Sequence, residues 1–363
     1  MRFLVTLAIA LVAACTPRGA MVLVEGVDGS AGVRQVYFAT TRTPDETGFD
    51  IYGSGRQEHS SYGRFDISVP PDHTTGDITY PGPDPDPTTD FVATDRFTYA
   101  TARAFQTALQ QDLRTRPDRS VVVFVHGYNS TFGEGMIRLA QLSHDFDVPG
   151  IGVHYSWPSL GNPLGYSYDH DSVLFARDGL QRLLEQIADA GAREVVLVGH
   201  SIGTLLVMET LRQIEIEDRG EASRIVDGVI LISPDVDIDV FRSQVSRIET
   251  LPDPFVIFHS RRDRALALSA RLTGQNERLG NISDVGRVAD LDVTLFDVSQ
   301  FGQGLNHFPV GDSPALLAVL GSVRGLGSAF EGDLSGRTGL LPGTVLTLQN
   351  ATQIILSPGT VLR

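Results

Sequence analysis

Short, fully apolar segments alternate along this chain with segments whose apolar residues recur at the spacing of a helix. Apolar runs this short are typical of strands that are buried on both faces of a sheet. The clearest strand candidates are residues 121–125, 195–198, 228–233 and 255–260, and helical spacing is clearest over residues 101–114 and 172–190. Strands that alternate with helices predict an α/β fold with a mostly parallel central sheet and helices on both faces. Such a sheet places active sites at the carboxyl ends of its strands.

Shorter segments extend this pattern in both directions. We expect further strands at residues 34–41, 63–69, 151–157 and 293–298, the last of these being the final strand of the regular part. Further helices are expected at residues 134–146, 203–214, 241–248, 264–272 and 314–323. Residues 80–87 contain four prolines and can form neither a helix nor a central strand, so we expect a surface loop there.

The ends of the chain differ from this regular part. We expect a signal peptide at residues 1–14, a tether at 15–32, the α/β domain at 33–325 and a Gly-rich tail at 326–363. The tail lacks clear periodicity, so the sequence leaves open whether it adds a strand or stays flexible.

Cys15 is the only cysteine of the chain, and it follows a segment typical of secretory signals. Arg2 precedes an apolar run over residues 3–14, which is too short to span a bilayer. Val12-Ala-Ala-Cys15 resembles a bacterial lipobox, which implies cleavage before Cys15 and acylation of that residue with chains such as palmitate. We therefore expect a lipid-anchored protein of the bacterial cell envelope, at the periplasm or outer membrane. The alternative is an ordinary cleaved signal in which Cys15 is incidental.

Charge and cysteine content exclude several classes of function. The net charge is −15, and no Lys/Arg cluster offsets it, so we expect no nucleic-acid partner. One cysteine excludes a disulfide framework, a CxxC redox pair and a cysteine-rich zinc site. We expect no metal and no organic cofactor. No sequence feature indicates an oligomeric state.

The strongest chemical motif is Gly199-His-Ser-Ile-Gly203, which matches the pattern GxSxG. The bare pattern is weak, but here it follows a predicted buried strand and opens a predicted helix. A nucleophile elbow needs this placement, because the sharp turn lifts the serine hydroxyl above the sheet edge at a helix amino terminus. Ser201 is therefore the candidate nucleophile. The alternative is a tight turn whose serine only caps the helix.

Two backbone N–H groups are candidates for an oxyanion hole. In the elbow arrangement, one donor follows the nucleophile and the other lies in the loop after an earlier strand. These positions correspond to Ile202 and Tyr128, and the neighbouring Gly127 allows the loop to approach a substrate carbonyl closely. We interpret His126 as a structural residue of this loop rather than as a base.

His307 is the candidate general base among nine histidines, because elbow enzymes run serine, acid and then histidine along the chain. Asp263 is the candidate acid, since it follows the strand predicted at 255–260. Its alternative role is to cap the helix that begins at the next residue. Asp235 and Asp237 follow the preceding strand and remain alternatives for the acid.

Several of these segments together resemble a bacterial α/β-hydrolase family that carries only a domain-of-unknown-function label. The segments are residues 36–42, 123–129, 155–159, 199–203, 233–237 and 263–266. The resemblance covers about residues 33–315, which is most of the chain. It implies a serine-hydrolase site with Ser201, Asp263 and His307 in the roles given above, and it names no substrate. Ile202 stands where this family often has methionine, a tolerable apolar exchange.

These observations predict a serine hydrolase that cleaves a small-molecule carboxylic ester through an acyl-enzyme and attaches to a membrane through Cys15. One alternative is cleavage of a thioester, amide or peptide by the same side chains. Another is an envelope protein that binds partners without catalysis.

Overall fold

Eleven strands of the described residues form a single sheet. The computed structural model describes residues 18–27, 32–147, 150–301, 307, 343–348 and 351–356. The strands are β1 (Val33–Pro44), β2 (Tyr52–Ser68), β3 (Val92–Tyr99), β4 (Ser120–Val125), β5 (Ile151–Ser156), β6 (Glu194–His200), β7 (Gly228–Ile232), β8 (Phe255–His259), β9 (Thr294–Asp297), β10 (Gly343–Leu348) and β11 (Ala351–Leu356). The helices of these residues are α1 (Ala102–Arg114), α2 (Phe132–Asp145), α3 (Tyr166–Asp189), α4 (Gly203–Glu217), α5 (Ala222–Ile225), α6 (Ile238–Val245) and α7 (Arg264–Leu272).

The middle of the sheet is parallel and its two edges are antiparallel. Across the sheet the order is β10-β11-β9-β8-β7-β6-β4-β5-β1-β2-β3. Every pairing from β11 to β1 is parallel, whereas β2 and β3 at one edge and β10 at the other run antiparallel to their neighbours. The predicted α/β class with a mostly parallel sheet is therefore confirmed. The carboxyl ends of the parallel strands all lie at the same end of the sheet. Since α/β folds place their active sites there, we call this end, which is distinct from the two lateral edges, the catalytic edge.

The sheet is covered on both faces, and this explains its apolar strands. One buried cluster joins the sheet to α1, α3, α4 and α6, with Leu109, Leu184 and Leu211 among its members. A second cluster joins the opposite face to α2, where Phe132 and Met136 pack. Because both faces of β4 and β7 are buried, their sequences are continuous apolar runs rather than alternating ones.

Residues 18–27 contact the body of the protein instead of forming a free tether. Leu23 forms a parallel bridge with Ala93 of β3, and Ala93 exchanges backbone hydrogen bonds with Val22 and Val24. The signal peptide expected at residues 1–14 and the lipidation site Cys15 lie outside the described residues, as does the helix expected at residues 314–323.

The sheet also extends further than the sequence predicts at both edges. β2 begins eleven residues before the strand predicted at residues 63–69, and β3 lies where no strand was predicted. β10 and β11 lie in the expected tail, and β11 pairs with β9, so the tail adds strands to the sheet, a question that the sequence left open. A hairpin pattern in the sequence would have identified these strands. It consists of two six-residue runs that contain β-branched residues and are separated by two residues.

Two completely buried histidines make the stability of this fold sensitive to acid. Burial lowers the pKa of His154 on β5 to about 3 and that of His259 on β8 to about 4. Since each group binds its proton more weakly in the folded chain, it contributes stability above the unfolded pKa, and this stability is lost as the pH falls towards the folded pKa. At pH 5 each loss is about 2 kcal/mol.

We therefore expect a smaller acid loss when one of these histidines is replaced. The free energy of unfolding of His154→Phe, measured in urea, should fall about 2 kcal/mol less between pH 7.5 and pH 5 than that of the wild type. The difference between the two proteins removes the contributions of other titrating groups. Identical losses in both proteins would contradict the assignment of a neutral His154.

Candidate active site

Ser201 stands in the sharp turn between β6 and α4, at the catalytic edge. Its φ is 53°, in the left-handed region that side chains other than glycine rarely adopt. The turn is held by backbone hydrogen bonds: Ser201 N–H donates to Ile232 at 3.0 Å, and Ser201 C=O accepts from Asp235 at 3.2 Å and from Thr204 at 3.1 Å. Strain of this kind persists only where the surroundings fix it, and here two neighbouring strands and a helix do so.

Two glycines make room for the turn. A Cβ on Gly203 would lie 2.3 Å from the carbonyl oxygen of His126, so α4 could not approach β4 as closely with any other residue. A Cβ on Gly127 would lie 2.6 Å from Nδ1 of His200 and 2.8 Å from Cβ of Ser201. The loop after β4 therefore lies directly against the serine turn.

Gly127→Ala is expected to impair activity, because the added methyl group would lie 2.8 Å from Cβ of Ser201 and 2.6 Å from the His200 ring, so the loop or the serine turn must shift. We expect kcat/KM for hydrolysis to fall at least about 100-fold, which is the effect of a misplacement of about 1 Å. Gly82→Ala is the matched control, since a Cβ at Gly82 meets nothing within 4 Å. Equal rates for the two variants would show that the loop does not constrain the serine.

The structure brings Ser201, His307 and Asp263 into one hydrogen-bonded chain. Nε2 of His307 lies 2.8 Å from Oγ of Ser201, and Nδ1 of His307 lies 2.8 Å from Oδ2 of Asp263. Ser201 and Asp263 are 2% and 1% exposed, whereas the His307 side chain retains 22% of its exposure. An imidazole held between a hydroxyl and a buried carboxylate can accept a proton on the serine side and keep its orientation from the acid side.

Asp263 combines the two roles that the sequence presented as alternatives. Its Oδ1 accepts a hydrogen bond from the backbone N–H of Leu266 at 2.9 Å and so caps α7, while Oδ2 contacts His307. The cap fixes the carboxylate, and the amino terminus of α7 favours its negative charge.

The two alternative acids are engaged elsewhere. Asp237 caps α6 through the N–H groups of Asp239 and Val240. Asp235 is buried, and its carboxylate contacts Arg278 at 3.1 Å and accepts from the hydroxyl of Ser269 at 2.6 Å. The hydroxyl of Tyr166 also donates to Asp235, at 3.1 Å.

His200 contacts His307 without competing for its proton. The centroids of the two rings are 5.1 Å apart. Burial, and after it the neighbouring His307, holds the pKa of His200 well below its usual range, so His200 is neutral near pH 7. A neutral neighbour does not repel the positive charge that His307 would acquire on accepting a proton.

The backbone N–H groups of Tyr128 and Ile202 belong to the two segments that meet at the serine turn. Ile202 immediately precedes α4, and Tyr128 follows Gly127, where an added Cβ would lie 2.8 Å from Cβ of Ser201. Within the part of the chain that the structure describes, neither N–H donates to a protein acceptor. Both groups are therefore available to a negatively charged oxygen at the amino terminus of α4.

A buried arginine that the sequence did not single out holds the loops of this edge. Arg42 is completely buried, and its guanidinium donates to the carbonyl oxygens of Ser130 and Ser159 at 2.8 and 3.0 Å. Burial lowers the pKa of Arg42 to about 10, so it stays charged at neutral pH. His126 lies beside it and exchanges hydrogen bonds with Trp157, whose ring stacks on it at 4.6 Å. His126 thus lies among structural contacts of the loop.

Asp169 at the start of α3 joins the same loops from the other side. It accepts hydrogen bonds from the hydroxyl of Ser159 and the N–H of Leu160, both at 2.6 Å, and from the N–H of Asn129 at 3.2 Å. Arg42 ends one of the segments that resemble the hydrolase family, but that resemblance gives it no role, and Asp169 belongs to none of these segments. Only the three-dimensional contacts show what the two residues do.

One group of side chains away from this edge has the spacing of a metal site. Ligand atoms of His73, His144 and Asp145 lie within 4.8 Å of one another. However, the Asp145 carboxylate already accepts hydrogen bonds from His73 at 2.6 Å and from the N–H of Gly76 at 2.8 Å. The Arg34 guanidinium also lies 3.4 Å from Nδ1 of His144, where its charge would oppose a cation. These contacts indicate that the three side chains join a loop to α2, which is a structural role.

None of the helices in the described part of the chain combines the length and the hydropathy that a membrane span requires. No curated protein sequence matches the chain.

Several solved structures are similar in fold. The esterase domain of a Rhodothermus marinus protein is 12% identical, with 80% of this chain and 98% of that chain covered and a TM-score of 0.39. A Pyrococcus furiosus esterase is 12% identical over 86% of this chain and 97% of its own, with a TM-score of 0.38. Esterase 2 of Thermogutta terrifontis is 16% identical over 75% and 90%, with a TM-score of 0.33. Likeness at this level does not extend to activity.

A family of protein sequences gives the stronger relationship. Residues 101–324 match the family described as "Alpha/beta hydrolase of unknown function (DUF900)". The matched region includes β4 to β9, the serine turn and the residues that contact it. The chain therefore belongs to this family of α/β hydrolases.

Proposed function

We propose that this α/β hydrolase is a serine esterase that cleaves carboxylic esters through an acyl-enzyme. The observation that carries the proposal is the pair of 2.8 Å contacts that joins Ser201 to His307 and His307 to Asp263. A serine in a strained turn, with an imidazole on its oxygen and a buried carboxylate behind the imidazole, is the arrangement that activates a hydroxyl for attack.

The first half-reaction forms the acyl-enzyme. Oγ of Ser201 attacks the acyl carbon while Nε2 of His307 takes the hydroxyl proton, and the carbonyl electron pair moves onto oxygen. The N–H groups of Tyr128 and Ile202 donate to this oxyanion. When the tetrahedral intermediate collapses, the bond to the alcohol breaks and His307 gives its proton to the departing alcohol oxygen.

The second half-reaction releases the acid. Water attacks the acyl carbon and gives a proton to His307, which returns that proton to Oγ of Ser201 as the acyl bond breaks. The Asp263 carboxylate holds the proton of His307 on Nδ1 and stabilises the imidazolium that forms in each half. These steps use three side chains and two backbone N–H groups of this protein, together with water.

A substrate panel tests the proposal. We expect the protein to hydrolyse p-nitrophenyl esters, and to do so at a higher kcat/KM than it hydrolyses matched thioesters, anilides or peptides. Activity on peptides alone would replace the esterase assignment by a peptidase one. The absence of turnover with every substrate would favour a binding protein that kept the fold.

We also propose that the protein is held at a bacterial membrane by acyl chains on Cys15. The support is the sequence alone: the sole cysteine stands at the end of a lipobox-like segment. Cells fed radioactive palmitate should label the wild type, and Cys15→Ser should remove the label. Unchanged labelling of the variant would contradict the anchor.

A further inference from the structure

The amino-terminal segment is fastened next to the proposed active site. The Arg18 guanidinium donates to Oδ1 and to the backbone carbonyl of Asn129, at 2.8 and 2.6 Å, and pairs with Glu134 at 2.7 Å. Asn129 is the residue after Tyr128, and Glu134 lies in the first turn of α2. The hydroxyl of Thr131 further donates to the carbonyl of Gly19 at 2.6 Å.

This attachment limits where an anchor at Cys15 can lie. Cys15 is three residues before Arg18, and a fully extended chain covers at most about 3.6 Å per residue. The anchor therefore lies within about 11 Å of the Arg18 backbone. A membrane that held Cys15 would face the catalytic edge and not the opposite end of the sheet.

Two exposed leucines lie in a loop that contacts both Arg18 and Tyr128. Leu164 is 94% exposed and Leu160 is 38% exposed, in the loop between β5 and α3. Gly161 of this loop is beside Arg18, since its Cβ would lie 3.8 Å from the guanidinium. The hydroxyl of Tyr128 donates to the carbonyl of Pro163 at 2.6 Å, so the loop also lies against the oxyanion-hole segment.

We propose that Leu160 and Leu164 insert into the lipid surface to which the anchor is attached, and that the substrate is an acyl ester presented from that surface. This inference rests on the proposed esterase activity and on the acylation of Cys15. Apolar side chains left in water beside an anchor and an active site gain stability by entering a hydrocarbon phase, and they orient the serine turn towards the bilayer. The net charge of −15 favours a zwitterionic surface over an anionic one.

A fluorescent label tests the orientation on the intact, acylated protein. Acylation blocks the thiol of Cys15, so Leu164→Cys carries a single reactive thiol. Ile216→Cys is the matched control, because Ile216 is 59% exposed and stands near the far end of α4, about 20 Å along the helix from Gly203. With an environment-sensitive fluorophore at each position, the proteins are attached to phosphatidylcholine vesicles that contain brominated acyl chains.

We expect the label at position 164 to lose most of its emission to the bromines and the label at position 216 to keep it. Equal quenching at both positions, quenching at neither, or failure of the acylated wild type to attach would overturn the proposal. The label reports position alone, so its result is independent of whether the protein hydrolyses esters.

A second measurement tests the substrate class. With a long-chain ester dispersed in phosphatidylcholine vesicles, Leu164→Asp should hydrolyse about tenfold more slowly than Ile216→Asp, because a charged side chain opposes insertion. Rates are divided by the amount of protein that reacts with a fluorophosphonate. Equal rates per reactive protein would overturn the lipid-surface proposal, whereas no fluorophosphonate reaction in any protein would instead defeat the esterase proposal.

Discussion

Ser201→Ala is expected to lower kcat for ester hydrolysis by about 10⁶-fold, the loss that follows removal of a nucleophile from such an arrangement. Alanine leaves no oxygen to attack the acyl carbon, while the oxyanion donors and the binding site remain. The fold should change little, because alanine in the left-handed turn experiences the same backbone strain as serine. Initial rates with p-nitrophenyl acetate and urea unfolding of the same samples measure both effects.

Ser233→Ala is the matched control for this variant. Ser233 directly follows β7, the neighbour of β6 in the sheet, and its φ of 46° is also in the left-handed region. It is buried like Ser201, and its backbone N–H donates to the carbonyl of Phe258 on the next strand. We expect its activity to stay within a few-fold of the wild type. If Ser233→Ala lost as much activity as Ser201→Ala, removal of a buried hydroxyl at this edge would be enough to inactivate the protein, and the loss in Ser201→Ala would not identify the nucleophile.

Asp263→Asn is expected to lower kcat by about 10⁴-fold. The asparagine amide presents N–H groups to His307 in place of a carboxylate, so the imidazole carries its proton on Nε2 and cannot accept one from Ser201. Asparagine caps helices about as well as aspartate, so α7 should keep its cap and the protein its stability. Activity and the free energy of unfolding therefore separate the two roles of this residue.

Asp237→Asn provides the comparison for the acid. Asp237 also caps a helix that follows a strand of the catalytic edge, but its described contacts are with the backbone of α6. Both variants should unfold at nearly the same urea concentration as the wild type, and only Asp263→Asn should lose activity. Equal losses of activity in the two variants would contradict the assignment of Asp263.

The centre of the fold was predictable from sequence, because a strand that is buried on both faces must be apolar along its whole length. β4 and β7 are continuous apolar runs, and amphipathic helices connect such strands. The serine turn was predictable for a similar reason: two glycines are required where the strand, the loop and the helix approach within the space of a methyl group. Steric requirements between neighbouring segments therefore appear in the sequence as a short motif.

The outer strands of the sheet, and the residues that hold the loops of the site, have less distinctive sequences. β3 carries several exposed polar residues, so its sequence resembles the loops around it. Arg42 is a charged residue in a strand, and only the convergence of several carbonyl oxygens explains its burial. The link from Arg18 to Asn129 joins residues 111 positions apart, and no pattern in either segment indicates the other.

The proposed activity depends on a serine hydroxyl that is activated by an imidazole, and a fluorophosphonate tests this activation directly. Such a probe phosphonylates an activated serine and leaves ordinary serines unmodified. Mass spectrometry of the labelled protein should find one adduct, on Ser201, and none in Ser201→Ala or His307→Ala. An adduct on another serine, or labelling that persists without His307, would contradict the proposal that His307 activates Ser201.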